Sequence, residues 1–328
     1  MSVKIKLVTL SVFCLWALLV FCNYPALGQG TSGPTYKFTS GSITKYHSTS
    51  QYSHMYDLVL DERGKMGSEA KLDADVNWNR KAESNTALCV TGTTFTVTSK
   101  GKMDFPGNPN MDATFIFDDK DLSMVLKGKK ASMGDKSVKE FKEKGMRCSV
   151  DSNGKISGLD SGSSLGMIPQ VKPIKDVLAS FCYNAHFPLP KKAITTGDTW
   201  ESVVNIGAGG LPVGMPVRCT LSGSETIGKY SNCFKIKVSA IDDADKIPVA
   251  GLLAALNGMS PQQTDIQHAK VTIEGTFFFS PSEGKIVKFD LDCDIDIKAS
   301  IKGQMGPMSF TGIATFIAKG SEHTIIVD

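Results

Sequence analysis

The chain of 328 residues is 41% hydrophobic, 8% aromatic and 21% charged, and its formal net charge at pH 7 is +3. This length accommodates one large β domain or two smaller domains. The small net charge and the lack of a dense Lys/Arg cluster in the sequence exclude the electrostatic footprint of a nucleic-acid-binding protein.

The N-terminal stretch has the pattern of a secretory signal peptide. A positively charged start precedes an apolar run over residues 7–21, and Ala26 and Gly28 have the spacing of small residues at a cleavage site. We therefore predict a signal peptide over residues 1–28 that is cleaved before Gln29. The mature chain is then expected in the periplasm or outside the cell.

Two other interpretations of this stretch place the chain at a membrane. A single membrane anchor requires about 20 apolar residues, and the run is shorter than that. A lipoprotein would be acylated at Cys22, but a small residue precedes such a cysteine, whereas Phe21 is bulky. No later segment of the sequence reaches membrane length. We therefore expect a soluble mature chain that meets a membrane only if Cys22 is lipidated.

The region after the leader is typical of a series of β-strands. Alternation of apolar and polar residues, or enrichment in Thr and Val, predicts strands over residues 52–60, 70–78, 88–98, 113–117 and 122–126. Residues 136–144 then predict a short surface helix that ends at Gly145. A hairpin with a turn at residues 151–154 follows.

A Gly/Ser-rich stretch, Gly162-Ser163-Ser164-Leu165-Gly166, matches the G-x-S-x-G pattern of serine hydrolases. A nucleophile elbow requires a strand before the serine and a helix after it, whereas here a flexible sequence precedes it and Pro169 follows. We therefore interpret the stretch as a linker. A hydrolase that uses Ser164 with His186 and Asp198 is a distant alternative, and we assign no catalytic residue and expect no enzyme.

An apolar helix is predicted to begin at Pro173, because its apolar positions recur on one face. We interpret it as a connector between two halves of a sheet, or as a lid on the sheet. The predicted organisation is an exported domain over residues 29–328. It is either one continuous sheet or two halves, 34–160 and 187–328, joined by a linker and helix at 161–186.

The segment after this helix carries the most specific motif of the chain. It reads Phe187-Pro188-Leu189-Pro190, and Gly197-Asp198-Thr199-Trp200 follows. This combination resembles the signature of a family of exported bacterial proteins with a domain of unknown function. The resemblance implies a β-rich exported protein and no established activity or catalytic residue. In physical terms, Gly197 and Asp198 suit a turn, and Trp200 suits a large ring at the start of a strand.

The second half contains the longest periodic stretch. Strands are predicted over residues 199–206, 217–224, 234–241, 271–279, 286–302, 308–318 and 324–327, and a second apolar helix over residues 249–257. Across 286–302 one parity is apolar and the other is Asp, Lys or Ser, which predicts a strand with one buried face. At about 3.3 Å per residue this strand is roughly 50 Å long, and so long a strand must coil in a twisted sheet.

The predicted fold is therefore mainly β: a large curved antiparallel sheet, half-barrel-like, with a few short helices. Long antiparallel strands with apolar helices beside them look like the half-barrel carriers of lipoproteins and lipids in the bacterial periplasm. This second resemblance concerns architecture alone, and a shared architecture does not imply a shared function.

The polar parity of the long strand holds four carboxylates, at Asp290, Asp292, Asp294 and Asp296. A strand separates them by about 6.6 Å, which is too wide for one Ca²⁺, and no oxygen-rich loop adjoins them. We therefore favour a solvated face whose charge Lys235 or Lys270 offsets from a neighbouring strand. The histidines show no metal-ligand spacing, so we predict no metal and no cofactor.

Six cysteines follow the leader: Cys89, Cys148, Cys182, Cys219, Cys233 and Cys293. An oxidising compartment permits disulfides among them, but Cys148, Cys219 and Cys293 also suit buried free thiols on apolar parities. Cys219 and Cys233 belong to one predicted hairpin, yet the alternation places their side chains on opposite faces. The pairing is left open, and the lack of C-x-x-C argues against a zinc ribbon or a thioredoxin-type site.

The leading functional hypothesis is a non-catalytic exported binding or carrier protein. Its ligand would be a lipid or another apolar small molecule, or its partner an envelope protein. The candidate lining residues are Phe277, Phe279, Phe289, Leu291, Ile295, Ile297, Phe310 and Phe316. Two alternatives are an ordinary sealed core at these residues and a structural or interaction module of the cell envelope without a ligand.

Overall fold

A computed structural model describes residues 33–60, 64–105, 108–160, 172–206, 213–241, 246–248, 260–305 and 308–327. The predicted leader 1–28, the Ser164 stretch and the predicted helix 249–257 lie outside these residues. Within them, 14 strands form one antiparallel sheet that does not close. This confirms the predicted mainly β fold with one large antiparallel sheet.

The strands are β1 (Ile43–Leu60), β2 (Gly64–Ala82), β3 (Ala87–Phe105), β4 (Asn108–Asp118), β5 (Leu122–Leu126), β6 (Lys129–Gly134), β7 (Met146–Val150), β8 (Ile156–Asp160), β9 (Thr199–Ile206), β10 (Val213–Ile227), β11 (Tyr230–Ala240), β12 (Ser260–Ser280), β13 (Lys285–Met305) and β14 (Met308–Val327). The described helices are α1 (Lys136–Glu143) and α2 (Lys172–Asn184).

Most neighbours in the sheet are also neighbours in the chain. The order is β6-β5-β4-β3-β2-β1-β14-β13-β12-β11-β10-β9, and β7 pairs with β3 and β8. The pairing of β1 with β14 joins the two ends of the described chain at the middle of the sheet. The sheet is therefore continuous, while the division of the chain into halves at residues 161–186 stays a prediction.

Several strands are longer than the sequence predicted. β12 begins at Ser260 rather than at residue 271, and β14 joins two predicted strands into one that passes through Gly320. A Cβ at Gly320 would lie 1.8 Å from the ring of Tyr52, so this glycine makes room for an aromatic ring. The separation of residues 308–318 and 324–327 into two strands was therefore wrong.

Alternation along the strands gives the sheet two distinct faces. We call the face that carries the buried parity, such as Phe289 and Leu291 of β13, the inner face, and the opposite one the outer face. Asp290 and Asp292 of β13 lie on the outer face. A smaller apolar cluster of Cys233, Phe278 and Val287 also lies on that face.

Aromatic rings form the centre of the inner face. Phe187 stacks on Phe277 with ring centroids 4.4 Å apart, and Phe277 stacks on Phe289 at 5.2 Å. The hydroxyl of Tyr36 donates to the Phe187 carbonyl at 2.9 Å, so the segment before β1 is attached to the segment after α2. Burial of each such ring stabilises the fold by roughly 1.5–3 kcal/mol.

A buried carboxyl group connects α2 to the middle of the sheet. Glu322 of β14 is 2% exposed and accepts hydrogen bonds from Asn184 Nδ2 (3.1 Å) and from the hydroxyl of Tyr52 (3.2 Å). Burial raises the pKa of Glu322 to about 8, although these bonds act in the opposite direction.

A hydroxyl group of α2 also contacts Glu322. Ser180 Oγ lies 2.8 Å from the Val177 carbonyl and 3.2 Å from Glu322 Oε2. A hydroxyl has one proton, and the carbonyl is able only to accept it. The single hydroxyl proton of Ser180 is therefore shared between the Val177 carbonyl and Glu322 Oε2.

A second buried polar group lies beside α2. Arg80 is 4% exposed; its guanidinium donates to Thr44 Oγ1 at 3.0 Å and lies 5.4 Å from the ring centre of Phe38. His186 Nδ1 lies 2.7 Å from the Cys182 carbonyl, so it carries the proton, and Nε2 accepts from Arg80 Nη1 at 3.3 Å. Burial, with the charge of Arg80, lowers the pKa of His186 to about 3.

The six cysteines are buried, and all of them are free thiols. Cys219 lies opposite Val238 on the inner face, whereas Cys233 belongs to the outer-face cluster. The predicted phase difference between these two cysteines is therefore correct, and they do not form a pair. Neither described helix is long and apolar enough to cross a membrane.

Candidate binding pocket at the junction

The predicted ligand-lining residues lie mostly in the packed interior of the sheet. Phe277, Phe279, Phe289, Leu291, Ile295, Ile297 and Phe316 are each at most 2% exposed on the inner face. Phe310 lies on β14 opposite Gly303, and its side chain is outside the described part. Of the set, Leu291 alone borders one of the three cavities described below. That these residues line a ligand cavity stays a prediction.

A different cavity, of about 560 Å³, lies where the segment after α2 meets β9. We call it the junction pocket. Its walls are Gly154, Lys155, Ile156, Tyr183, His186, Pro188, Leu189, Pro190, Trp200, Glu201, Ser202, Val203 and Asn205. The Pro-Leu-Pro segment and Trp200 of the sequence motif therefore meet at one cavity.

The Gly197-Asp198 turn sets where β9 begins. Gly197 has φ +97°, a left-handed conformation that favours glycine. Its N–H donates to the Leu221 carbonyl at 2.8 Å, and Leu221 N–H donates back to the Asp198 carbonyl at 3.0 Å. The Asp198 carboxylate also accepts from Thr195 N–H at 2.7 Å. The turn is thereby attached to β10, and Trp200 becomes the second residue of β9.

The last turn of α2 is attached to β9 by a side-chain amide. Asn184 Nδ2 donates to the Asn205 carbonyl at 2.7 Å, and Asn205 N–H donates to Asn184 Oδ1 at 2.9 Å. These are the two bonds that a residue of a neighbouring strand would make. Tyr183, the preceding residue, is thereby held in the wall of the junction pocket.

The proline-rich wall is attached to two other elements. Ser202 Oγ donates to the Pro188 carbonyl at 2.8 Å, and Leu189 N–H donates to the Asn153 carbonyl at 2.8 Å. Because both bonds involve backbone atoms of this wall, the wall is fixed relative to β9 and to the turn between β7 and β8.

The lining of the junction pocket is largely apolar. Two prolines, Leu189, Val203 and two aromatic rings line it, with a small number of polar groups. The indole N–H of Trp200 is buried and has no acceptor among the described residues. A buried unsatisfied N–H costs about 1–3 kcal/mol. Ser202 Oγ donates to a carbonyl, and neutral His186 donates to another, so the described lining holds no nucleophile–base pair.

β9 is also one edge of the sheet. It pairs with β10 alone among the described strands, and Val203 is 41% exposed. Since Asn205 directs both its backbone groups away from β10, alternation places those of Val203 and Glu201 on the open edge as well. An open edge of this kind is able to pair with another extended chain.

Two further cavities have volumes of about 530 and 620 Å³. Residues of β1, β2, β3, β4 and β14 line the first. Residues of β1, β2, β3, β13 and β14 line the second, among them Leu291 and Glu322 of the inner face. Lys71 lies opposite Lys100 in the first, and Asp73 and Asp75 border the second. We assign them no ligand.

Asp290, Asp294 and Asp296 of β13 have basic residues on neighbouring positions of the outer face. Lys288 Nζ lies 3.0 Å from Asp290, and Lys319 Nζ lies 3.0 Å from Asp294. Lys270 lies opposite Asp296, as the sequence analysis suggested. Lys235 instead pairs with Glu225 at 2.9 Å, so its predicted role was wrong. No group of three or more His, Cys, Asp or Glu in the described residues has the arrangement of a metal site.

Sequence reasoning located part of the junction pocket and missed the rest. The proline motif and Trp200 were singled out as structural, whereas Tyr183, Ser202 and Asn205 were not considered. Asn184 and Asn205 carry no local pattern that indicates an amide bridge between a helix and an edge strand. The proline motif, followed by an aromatic residue at the start of a strand, was the sequence feature that indicated the position of the pocket.

Comparison with known proteins identifies no family for this chain. No protein-family model matches it, and no curated protein matches it. A structure titled "Lipid-protein interactions in lipovitellin" is similar with a TM-score of 0.39 and 12% identity, over 89% of this chain and 26% of lipovitellin. The chain thus spans about a quarter of the length of that protein.

A second solved structure is the outer membrane protein OprG from Pseudomonas aeruginosa. It is similar with a TM-score of 0.16 and 9% identity, over 90% of this chain and 100% of OprG. With TM-scores of 0.39 and 0.16, neither similarity indicates a ligand or a partner for this chain.

Proposed function

We propose that the protein is a non-catalytic binding protein whose junction pocket takes a compact, largely apolar molecule. The observation that carries this proposal is the composition of the pocket. Prolines, Leu189, Tyr183 and Trp200 surround about 560 Å³ and are held in place by backbone hydrogen bonds. Ligand sites typically have volumes of about 300–1,000 Å³, apolar and aromatic walls and few polar groups.

The ligand class follows from the walls. Aromatic rings and prolines favour flat or compact apolar groups, and the buried Trp200 N–H favours a ligand with a hydrogen-bond acceptor. Glu201 and Lys246, 3.0 Å apart, form an ion pair next to the pocket, so the mouth is polar. In an exported chain such a protein would carry or sequester its ligand outside the cytoplasm.

The first experiment is native mass spectrometry of protein purified without detergent from the compartment to which the cell delivers it. We expect a non-covalent adduct of small-molecule mass that is lost on denaturation. The same spectrum reads the N-terminus, so it also tests cleavage before Gln29 and acylation at Cys22. If the spectrum shows only the mass of the protein itself, binding has to be measured directly.

The direct measurement titrates the neutral fluorescent probe N-phenyl-1-naphthylamine into the protein and its variants. Val203→Lys places a charge at the pocket wall and is expected to weaken binding about tenfold, which corresponds to about 1.4 kcal/mol. The matched control is Val59→Lys on the outer face of β1, where the valine is 50% exposed and distant in the sheet from β9. Equal affinities of the two variants, or no probe binding to the parent protein, would contradict the proposal.

A second candidate function is an interaction module that binds an extended peptide at the open edge of β9. The exposed Val203 and the outward backbone groups of β9 favour it. In that case Val203→Pro would abolish peptide binding, since proline lacks the N–H that the added strand requires. N-phenyl-1-naphthylamine would then bind the parent protein weakly or not at all.

A further inference from the structure

The contact between α2 and the centre of the sheet includes one titratable side chain. Asn184 Nδ2 of α2 donates to one carboxyl oxygen of Glu322 at 3.1 Å, and Ser180 Oγ of α2 lies 3.2 Å from the other. The hydroxyl of Tyr52 on β1 donates to that second oxygen at 3.2 Å. We call these four residues the Glu322 cluster. Through it, the position of α2 on β14 depends on a carboxyl group that is 2% exposed.

The Glu322 cluster continues to the junction pocket through Asn184. The Nδ2 that donates to Glu322 also donates to the Asn205 carbonyl at 2.7 Å, and Asn184 Oδ1 accepts from Asn205 N–H at 2.9 Å. The two protons of the amide nitrogen serve one acceptor each. Asn205 and Tyr183, the residue before Asn184, both line the pocket. One amide group therefore connects the buried carboxyl group to the wall of the pocket.

The groups around Glu322 leave a negative charge on it uncompensated. The neighbours from α2 and β1 are an amide and two hydroxyls. On β2 the buried Arg80 donates to other side chains, and no ion pair joins it to Glu322 within the described chain. On β13 burial raises the pKa of the Cys293 thiol to about 12, so this neighbour stays neutral. Asp292 and His323 lie on the outer face, with the sheet between them and Glu322.

Water is the partner that an ionised Glu322 lacks in this arrangement. Burial raises the pKa of Glu322 to about 8, from an ordinary value of 4.5. Because the hydrated carboxyl group ionises at lower pH, ionisation favours any arrangement that admits water. Ser50 lies opposite Glu322 in the β1/β14 pair, and its buried hydroxyl has no partner among the described residues. An entering water would therefore find two polar groups side by side.

We propose that ionisation of Glu322 loosens α2 on the sheet and, with it, the wall of the junction pocket. The part that concerns the pocket rests on the proposed function. Below pH 4.5 the carboxyl group is neutral whether or not water reaches it, and α2 is held. As the pH rises from 4.5 to about 8, the equilibrium shifts toward the loosened arrangement by about tenfold per pH unit. The pocket should therefore bind tightly in acid and weakly in mild alkali.

Hydrogen exchange followed by mass spectrometry measures the loosening of α2 without any ligand. Protection factors of peptides from α2 are compared between pH 5 and pH 8.5 with those of peptides from β13, each corrected for the intrinsic exchange rate. We expect the protection of α2 to fall by about tenfold or more and to stay below that of β13 at each pH. Protection of α2 that does not change with pH would overturn the proposal. So would protection equal to that of β13, because α2 would then open only when the sheet unfolds.

Glu322→Gln tests whether Glu322 is the group that titrates. Glutamine has no charge at either pH, and its oxygen is still able to accept from Asn184 Nδ2. The protection of α2 should then be the same at pH 5 and pH 8.5. The matched control is Asp292→Asn on the outer face, which should keep the fall seen in the parent protein. A fall that persists in Glu322→Gln would assign the effect to a different group and contradict the proposal.

Ser180→Ala is the second variant, and it keeps the test available if Glu322→Gln fails to fold. Alanine favours the helix, and its introduction removes one of the bonds that lower the pKa of Glu322. The fall in the protection of α2 should consequently extend to a higher pH than in the parent protein. A fall that ends at the same pH in both proteins would contradict the role of Glu322.

Titration with N-phenyl-1-naphthylamine connects the loosening of α2 to the pocket. The dissociation constant should be about tenfold higher at pH 8.5 than at pH 5, because affinity falls with the fraction of molecules in which the pocket is formed. Asp292→Asn should behave like the parent protein, and Glu322→Gln should bind equally at both pH values. An affinity that is independent of pH in a protein whose α2 loosens would overturn the connection to the pocket.

Two outcomes separate this inference from the proposed function. Loosening of α2 that depends on Glu322, in a protein that binds no probe at any pH, would support the inference and overturn the binding proposal. Probe binding with one affinity throughout, in a protein whose α2 is equally protected at both pH values, would do the reverse.

Discussion

Glu322 and His323 are neighbours on β14, and their surroundings show how the two faces of this sheet differ for ionisable side chains. Glu322 points to the inner face, where it is 2% exposed and bonded to α2 and β1. His323 points to the outer face and bonds to Asp290 of β13. The inner face holds buried polar groups such as Glu322 and Arg80, whereas the outer face holds solvated pairs. One step along a strand therefore separates a buried, hydrogen-bonded carboxyl group from a solvated His–Asp hydrogen bond.

This difference has a simple energetic origin. Transfer of a charge into the interior costs several kcal/mol, and hydrogen bonds offset that cost only in part. A pair on the surface loses little hydration and gains about 0–1 kcal/mol. Substitutions on the inner face should consequently have large effects, and equivalent substitutions on the outer face should have small ones.

The largest expected effect is loss of an inner-face ring. Phe277→Ala should reduce the free energy of unfolding by about 3–5 kcal/mol, because the ring stacks between Phe187 and Phe289. Phe278→Ala, the next residue along β12, removes a ring from the three-residue cluster on the outer face and should cost less. Urea unfolding of both variants checks this; equal losses would show that the two faces are packed equally well.

The second effect is a pH dependence of stability that originates at Glu322. Its folded pKa of about 8 lies above the ordinary value of 4.5, so the folded protein binds a proton that the unfolded chain has released. Stability from this group is complete below pH 4.5 and is lost as the pH rises to about 8, by a few kcal/mol in total. Urea unfolding between pH 5 and 8.5 measures the slope.

Glu322→Gln should remove most of that slope, because glutamine does not titrate. The Oε1 of glutamine is still able to accept from Asn184 Nδ2, so the contact with α2 should be retained. Asp292→Asn, two residues from the outer-face Asp290 on β13, serves as the control and should leave the slope unchanged. A parent protein with flat stability over this range would show that Glu322 is ionised in the fold.

The smallest effect is expected at an outer-face ion pair. Lys319→Ala removes the partner of Asp294, and both side chains are largely exposed, at 66% and 47%. The free energy of unfolding should change by less than about 1 kcal/mol, and the change should shrink further in 1 M salt. A loss comparable to that of Phe277→Ala would mean that the outer face is part of a buried interface.

Several features of the fold were accessible from the sequence because they depend on local geometry. The alternation across residues 286–302 predicted β13, and the structure extends it only to Lys285–Met305. The helix predicted at residues 136–144 is α1, and the helix predicted from Pro173 is α2. The opposite phases of Cys219 and Cys233 followed from the same two-residue period.

The wrong sequence predictions concern the extents of two strands, which depend on residues distant in the chain. Gly320 lies between the two strands predicted at residues 308–318 and 324–327, and a glycine weakens the interior of a strand. β14 nevertheless continues, because β1 and β13 pair with it on both sides and the Tyr52 ring fills the space beside the glycine. The start of β12 was placed too late for a similar reason. Residues 260–270 are polar and lack a strong alternation, but β13 supplies hydrogen-bond partners along their whole length.

By itself, then, the sequence determined the β class, the presence of two faces and the place of the junction motif. These follow from the two-residue period of a strand and from the conformations of glycine and proline, which act over a few neighbouring residues. Tertiary structure alone decided that Glu322 is buried under α2 and that Trp200 and Tyr183 face one pocket. Such contacts depend on strand register and on helix packing across the whole sheet, and no local sequence pattern predicts these.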